Sequence, residues 1–114
     1  MTDSRLPAHV EIGAIRRLVE GQGGFASVLF KGERDAGTIL LLTMQNGSSA
    51  QLWERMPQMD GTRRWTPVVP KTVENEEDFT DYCRKRHGSD PDLWVLEADV
   101  ADPAQFVETL NALS

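Results

Sequence analysis

At 114 residues the chain is the size of one domain and can bury roughly 65% of the surface its unfolded form exposes, so a core is attainable without disulfide or metal staples. Twelve Lys and Arg against eighteen Asp and Glu leave a formal charge of −6, which opposes binding to nucleic acid unless the cations gather on one face. The longest apolar run, Ile39 to Leu42, falls far short of the roughly 20 residues of a membrane span. A start reading MTDSRLPAHVEIG has neither a basic lead with an apolar core nor a cleavage site. Together with the single Cys83, which cannot close an internal disulfide, it predicts a reducing, cytoplasmic location.

Pro7 suits a first helical position, where its missing N–H costs nothing. From there Val10, Ile12, Ala14, Ile15, Leu18 and Val19 predict an amphipathic helix with His9, Glu11, Arg16, Arg17 and Glu20 turned to solvent. Gly21, Gly23 and Gly24 end it. The alternation of Val10 and Ile12, with Gly13 inside the stripe, leaves a short strand as the alternative.

Four β-rich runs follow, FASVLFK, TILLLTMQ, SAQLWER and RWTPVV. Asn46-Gly47 between the second and third is a strong hairpin signal, and Asp60-Gly61 marks the longer third connection. KGERDAG reads as the link of a first hairpin, and the first two runs, apolar on both faces, are expected at the sheet centre. Pro67 places the fourth run at an edge, which leaves a homodimer through that edge conceivable.

Helical grammar returns from Glu74 to His87, acidic at its start and basic at its finish, as the helix dipole favours. Thr72 or Asn75 is the expected N-cap and Gly88 the C-cap. Asp90-Pro91-Asp92 forms a turn, LWVLEADV the last strand, and Asp102-Pro103-Ala104-Gln105 the capped start of a final helix. The expected fold is a single α+β domain over residues 1–114. It has a mostly antiparallel four- to five-stranded meander with two to three helices mainly on one face, in the order α-β-β-β-(β)-α-β-α.

Cys83 and His87 lie four apart, which on a helix puts thiol and imidazole on one face. Cys83 also lies on the strip of Phe79 and Tyr82, where a small thiol behaves as a hydrophobe. The cations that follow it would favour a redox-sensitive thiolate. His9, His87, Asp90 and Asp92 have no zinc-motif spacing, so neither metal nor cofactor is expected. Asp90 and Asp92 resemble paired carboxylates of a hydrolase, but aspartate is the usual residue at such a turn, and the turn is the favoured reading. The glycines of GQGGFASVLF precede a strand, contrary to a phosphate cradle.

Of the basic clusters, Arg16-Arg17, Arg63-Arg64-Trp65 and Arg84-Lys85-Arg86, the second pairs guanidinium with indole and can hold a base or an anion. Solvated charges on a helix back and a hairpin end are the ordinary explanation of these clusters and the favoured one; a ligand site, were there one, is expected at Arg63, Arg64 and Trp65 with Trp53, Trp94, Asp90 and Asp92. No coherent set of nucleophile, base and oxyanion donors emerges. The favoured function is a non-catalytic interaction or accessory module with a protein partner. A small-molecule, anion-binding or catalytic domain using the Arg/Trp/Asp cluster is the rival, and an RNA-binding sheet a third reading.

Several pieces in order carry a resemblance: Arg5-Leu6-Pro7, the helix ending in glycine before FASVLFKG, GERDAGTILL, GTRRW, and DPDLWVLE from Asp90 to Glu97. In these the chain resembles the DUF1491 family, small bacterial proteins of unknown function. The resemblance implies a bacterial, cytosolic, single-domain α+β protein and no particular reaction or ligand. The tail ADVADPAQFVETLNALS departs from it by making a full helix.

Overall fold

The computed structural model describes residues 6–70 and 77–113. Pro7, with φ −53° and ψ 144°, is the last extended residue before helix α1 (Ala8–Gly21), one position ahead of its expected place. No side chain caps this end. The Ala8 and His9 N–H groups donate instead to the Asp35 and Arg34 carbonyls at 3.0 and 2.8 Å, so a distant loop satisfies the orphan donors of the helix start. Ala8, Ile12, Ile15 and Val19 are the buried stripe, whereas Val10 and Leu18 are exposed. One helix face can meet the sheet, and the 8-12-15-19 row is the one that does.

The strands are β1 (Phe25–Phe30), β2 (Ile39–Gln45), β3 (Ser48–Pro57), β4 (Arg63–Val68) and β5 (Trp94–Asp99), in the order β1-β5-β2-β3-β4. Between β2 and β3, Asn46 and Gly47 take φ 51° and 80°, the paired positive values of the hairpin turn that their sequence predicts. The carboxylate of Asp99 accepts from both of their N–H groups at 2.8 Å, which ties the turn to β5.

The sheet departs from the expected meander at its other end. β1 and β2 are not neighbours: β5 lies between them, antiparallel to β1 and parallel to β2, so the sheet is mixed. β1 is accordingly an edge strand with Phe25 75% exposed. KGERDAG is no hairpin link but a bridge passing over the start of β5. There the Asp92 carbonyl accepts from the Glu33 N–H at 2.9 Å, and the Trp94 N–H donates to the Thr38 carbonyl at 2.8 Å. A Cβ on Gly32 or Gly37 would collide with that Asp92 carbonyl oxygen. Two backbones can approach this closely only where neither side chain intervenes.

Strand alternation sends Ile39, Leu41, Trp94, Leu96 and Ala98 to one face. They pack there with α1 and with Phe106, Val107 and Leu110 of helix α3 (Pro103–Leu113). Leu40, Leu42, Leu52, Leu93 and Val95 meet Phe79, Tyr82 and Cys83 of helix α2 (Glu77–Ser89) on the other face. Two helices thus lie on one side and one on the other, in a single compact α+β domain. Asp102 caps α3 as expected, accepting from the Gln105 N–H at 3.1 Å with Pro103 first in the helix. Gly88 falls inside α2, not at a C-cap. The helix start at Glu74 and the caps proposed at Thr72 and Asn75, like Arg5, lie outside the described residues. Among those described, no helix is long and apolar enough to cross a membrane.

Candidate functional site

The seven sequence candidates divide among four places. Asp90 and Asp92 form the turn before β5: the Asp92 N–H donates to Asp90 Oδ1 at 3.2 Å and the Leu93 N–H to the Asp90 carbonyl at 3.0 Å. Neither lines a cleft with the arginines. Trp94 is buried beneath loop 31–38, its Nε1–H donating to the Glu33 carbonyl at 2.6 Å. Trp53, Arg64 and Trp65 come together, along a groove between β4 and α3. Arg63 lines a separate cleft at the start of α1.

The groove has a volume of about 510 Å³ and a largely apolar lining. Trp53 and Trp65 reach it because Arg55 pairs with Trp65, and Trp53 with Pro67, across β3 and β4, so residues of one parity share a face. The Trp53 Nε1–H donates to Thr43 Oγ1 at 2.9 Å, which keeps that indole half-buried, and Trp65 is 4% exposed. Neither ring offers the open stacking face that an RNA-binding sheet requires. Arg64 pairs with Glu108 of α3 at 3.4 Å on the rim, and both are exposed. At the hairpin tip Asp60 accepts from the Thr62 N–H and hydroxyl, and these bonds hold its carboxyl below the usual range. The tip they order presents a fully exposed Met59, with Met56 behind it on the groove.

Arg55 divides the groove from the second cleft. Its guanidinium lies 4.9 Å from the Trp65 ring centroid, a cation–π arrangement, and binds Glu11 of α1 through two contacts of 2.5 and 2.9 Å. Both side chains are largely buried, and Arg55 Nε has no hydrogen-bond partner. Sequence reasoning turned Glu11 to solvent and passed over Arg55. The one available signal was that Arg55 shares strand parity with Trp53. The cleft on this side, about 330 Å³, is also lined by Leu6, Asp35, Ala36 and Thr38.

The remaining reactive groups are held in structural bonds. Cys83 is wholly buried, and burial pushes its thiol up to about 11 against a smaller opposing pull from Arg86. The His87 ring stacks on Phe30 with centroids 5.1 Å apart, and its Nε2 meets the Lys31 carbonyl at 3.0 Å. His9 Nδ1 lies 3.0 Å from the Arg34 carbonyl. Arg86 is tied to Glu54 at 2.5 Å and to the Tyr82 hydroxyl at 3.0 Å, the Glu54 bond raising its already high pKa. Among the described residues no three His, Cys, Asp or Glu side chains are placed to share a metal ion.

These features define a single-domain α+β protein with a mixed five-stranded sheet, one aromatic groove at its β4 edge and one charged cleft beside it. The chain belongs to DUF1491, a family of proteins of unknown function whose model matches residues 6–108, ending within α3. It is similar to two solved structures, each of a DUF1491 family protein from Caulobacter crescentus CB15. The crystal structure is 31% identical with a TM-score of 0.78, over 90% of this chain and 94% of that one. The NMR structure is 31% identical with a TM-score of 0.73, over 90% and 92%. A solution structure of a protein from A. tumefaciens is 25% identical with a TM-score of 0.71, over 90% and 92%. Among curated proteins none matches the chain.

Proposed function

We propose that this protein is a non-catalytic interaction module of the cytoplasm that receives a short apolar segment of a protein partner in the groove between β4 and α3. The observation that carries this reading is the grouping of Trp53, Trp65, Met56 and Arg64 on one groove beside the exposed Met59. Aromatic residues, Met and Arg are the types that concentrate binding energy at protein interfaces. Methionine also adapts its shape to a partner at little cost. Because the neighbouring edge of β4 is closed at Trp65 and Pro67, the partner engages through side chains instead of adding a strand. The lone buried Cys83 suits a reducing compartment.

The test places a photo-crosslinking residue at position 59, and separately at Lys85 on the far helix α2, in living cells. One discrete protein adduct from position 59, absent from position 85 and lost when Arg64→Glu is added, is the expected result. Adducts that form equally from both positions, or none from position 59, overturn the proposal.

A further inference from the structure

The two edges of the sheet are finished differently. β4 is closed at Trp65 and Pro67, whereas the outer side of β1 meets no other strand, and among the described residues nothing bonds to it. The backbone of β5 shows which β1 groups are left open. Trp94 and Val100 donate their N–H groups away from β1, to the Thr38 and Met44 carbonyls, so by alternation Val95, Glu97 and Asp99 look toward β1. Phe25 and Ser27, opposite Asp99 and Glu97, therefore bond inward. Ala26 and Val28 turn both N–H and C=O outward, a donor and an acceptor each, spaced for one more antiparallel strand.

β1, with the sequence FASVLF, carries neither a charge nor a proline, the usual guards of an edge. Its open groups fit a second copy of itself. Two β1 strands antiparallel about a two-fold axis at Ser27 place Ala26 of each beside Val28 of the other, and all the outward groups pair. In that register Phe25, 75% exposed, lies opposite Leu29 of the other copy, on the face where Leu29 and Phe30 already pack toward α2. The bulge after Val28 ends the backbone pairing there.

Helix α1 extends the match. It packs over β1 and β5, so the two copies of α1 would run antiparallel about two strand spacings apart, roughly 10 Å, which is helix-packing distance. Glu11 marks the flank of α1 turned to β3, through Arg55. At 3.6 residues per turn Gly13, Arg16 and Glu20 lie on the opposite flank, above the open edge. Arg16 and Glu20 are exposed, so each flank carries both signs of charge and suits its own two-fold mate. A Cβ at Gly13 would meet only the Arg17 guanidinium, at 3.5 Å. Glycine weakens a helix interior, and a second helix close by is a reason for it that the described chain does not itself supply.

We infer that this chain pairs with a second copy of itself through β1, joining two five-stranded sheets into one across a two-fold axis. The short strand and the helix flank bury on the order of 1,000 Å² in all, the low end of specific interfaces, which sets a dissociation constant on the order of 10–100 μM. Association stops at the dimer, because the edges that remain are the closed β4 edges. The inference is independent of the groove and its partner.

The experiment is sedimentation equilibrium of the full chain from about 5 μM to about 1 mM, a range that brackets this constant, with isotope-filtered NMR on a mixture of labelled and unlabelled chains at the upper end. The wild type should pass from monomer to dimer, and the Phe25 ring of one chain should contact the Leu29 methyl groups of another. Ser27→Lys alters an exposed position beside Glu97 of its own sheet, and sets like charges face to face on the axis, so it should stay monomeric. Phe25→Ser should weaken the dimer about tenfold or more, and Arg64→Glu on the groove should pair like the wild type. Should Ser27→Lys fail to fold, Phe25→Ser decides in its place. A wild type monomeric at the highest concentration, a dimer without the Phe25–Leu29 contact, wild-type association in the deciding variant, or a dimer lost in Arg64→Glu overturns the inference.

Discussion

The Asn111 side chain stands against the outer edge of β4 at Trp65: its Oδ1 accepts from the Trp65 N–H at 2.8 Å and its Nδ2–H donates to the Trp65 carbonyl at 3.4 Å. A side-chain amide thus takes the place a sixth strand would occupy. Two residues on, at the same parity, Pro67 has no N–H to offer. Asn111→Ala should lower stability to urea by about 1 kcal/mol, the worth of a partly exposed pair of hydrogen bonds. Adding Pro67→Thr should raise self-association in light scattering above that of either the wild type or Asn111→Ala. An unchanged mass for the double variant would show that other groups guard this edge.

Gly37 and Gly88 make opposite predictions from the same substitution. At Gly37 a methyl group would run into the Asp92 carbonyl oxygen, a backbone atom that cannot step aside without moving β5. Gly37→Ala should therefore destabilise by about 3 kcal/mol or more, or prevent folding. At Gly88, inside α2, an added Cβ meets nothing within 4 Å. There alanine should stabilise by about 0.5 kcal/mol through the lower entropy of the unfolded chain. Urea denaturation of the two variants beside the wild type gives both signs in one experiment.

The Glu11–Arg55 pair joins α1 to β3 across 44 positions of sequence. Glu11→Gln keeps the shape but leaves the guanidinium largely buried without its counter-charge, and should cost about 2–3 kcal/mol. Arg55→Met keeps much of the packing on Trp65 but leaves the largely buried Glu11 carboxylate without its counter-charge, so it should cost about as much. In the double variant the loss should be smaller than the sum of the two, with a coupling energy of about 1 kcal/mol or more. Strict additivity in that cycle would mean the pair contributes nothing as a pair.

What the sequence made legible is the chemistry of neighbours. Asn46-Gly47, the Asp102-Pro103 cap and the Asp90 turn each work within four residues, and each folds as expected. The placement of β5 depends on pairing between segments some sixty residues apart, and no local pattern encodes that. Gly32 and Gly37 were visible but ambiguous, because glycine serves a tight turn and a close backbone crossing alike. Glu11 was misplaced for a related reason: periodicity assigns a charged residue to solvent, and only the fold reveals the arginine waiting on the neighbouring strand. Of the proposed ligand residues, Trp53 and Trp65 share a groove because they fall at one strand parity, whereas Arg64, at the opposite parity, joins it at the rim beside Glu108. Asp90 and Asp92 stand apart, being committed to their turn.

Cys83 gives a pH dependence whose sign can be worked out. Burial raises its thiol from the ordinary 9.0 to about 11 in the folded protein. Below 9.0 both folded and unfolded states hold the proton, so the thiol adds no slope. Between 9.0 and about 11 the unfolded state releases it while the folded state retains it, so stability falls as pH rises through this window. Cys83→Ala lacks that term. At pH 7 the variant should be less stable by about 1 kcal/mol, from the cavity left by the small side chain. Its deficit should then narrow, or reverse, between pH 9 and pH 11, the window set by the folded thiol. Urea midpoints of the two proteins taken across this range give the difference directly, with Tyr82 and the lysines common to both. A difference that stays constant over the window would mean that the thiol ionises as readily in the fold as in the open chain, and that Cys83 is reached by solvent in the native state.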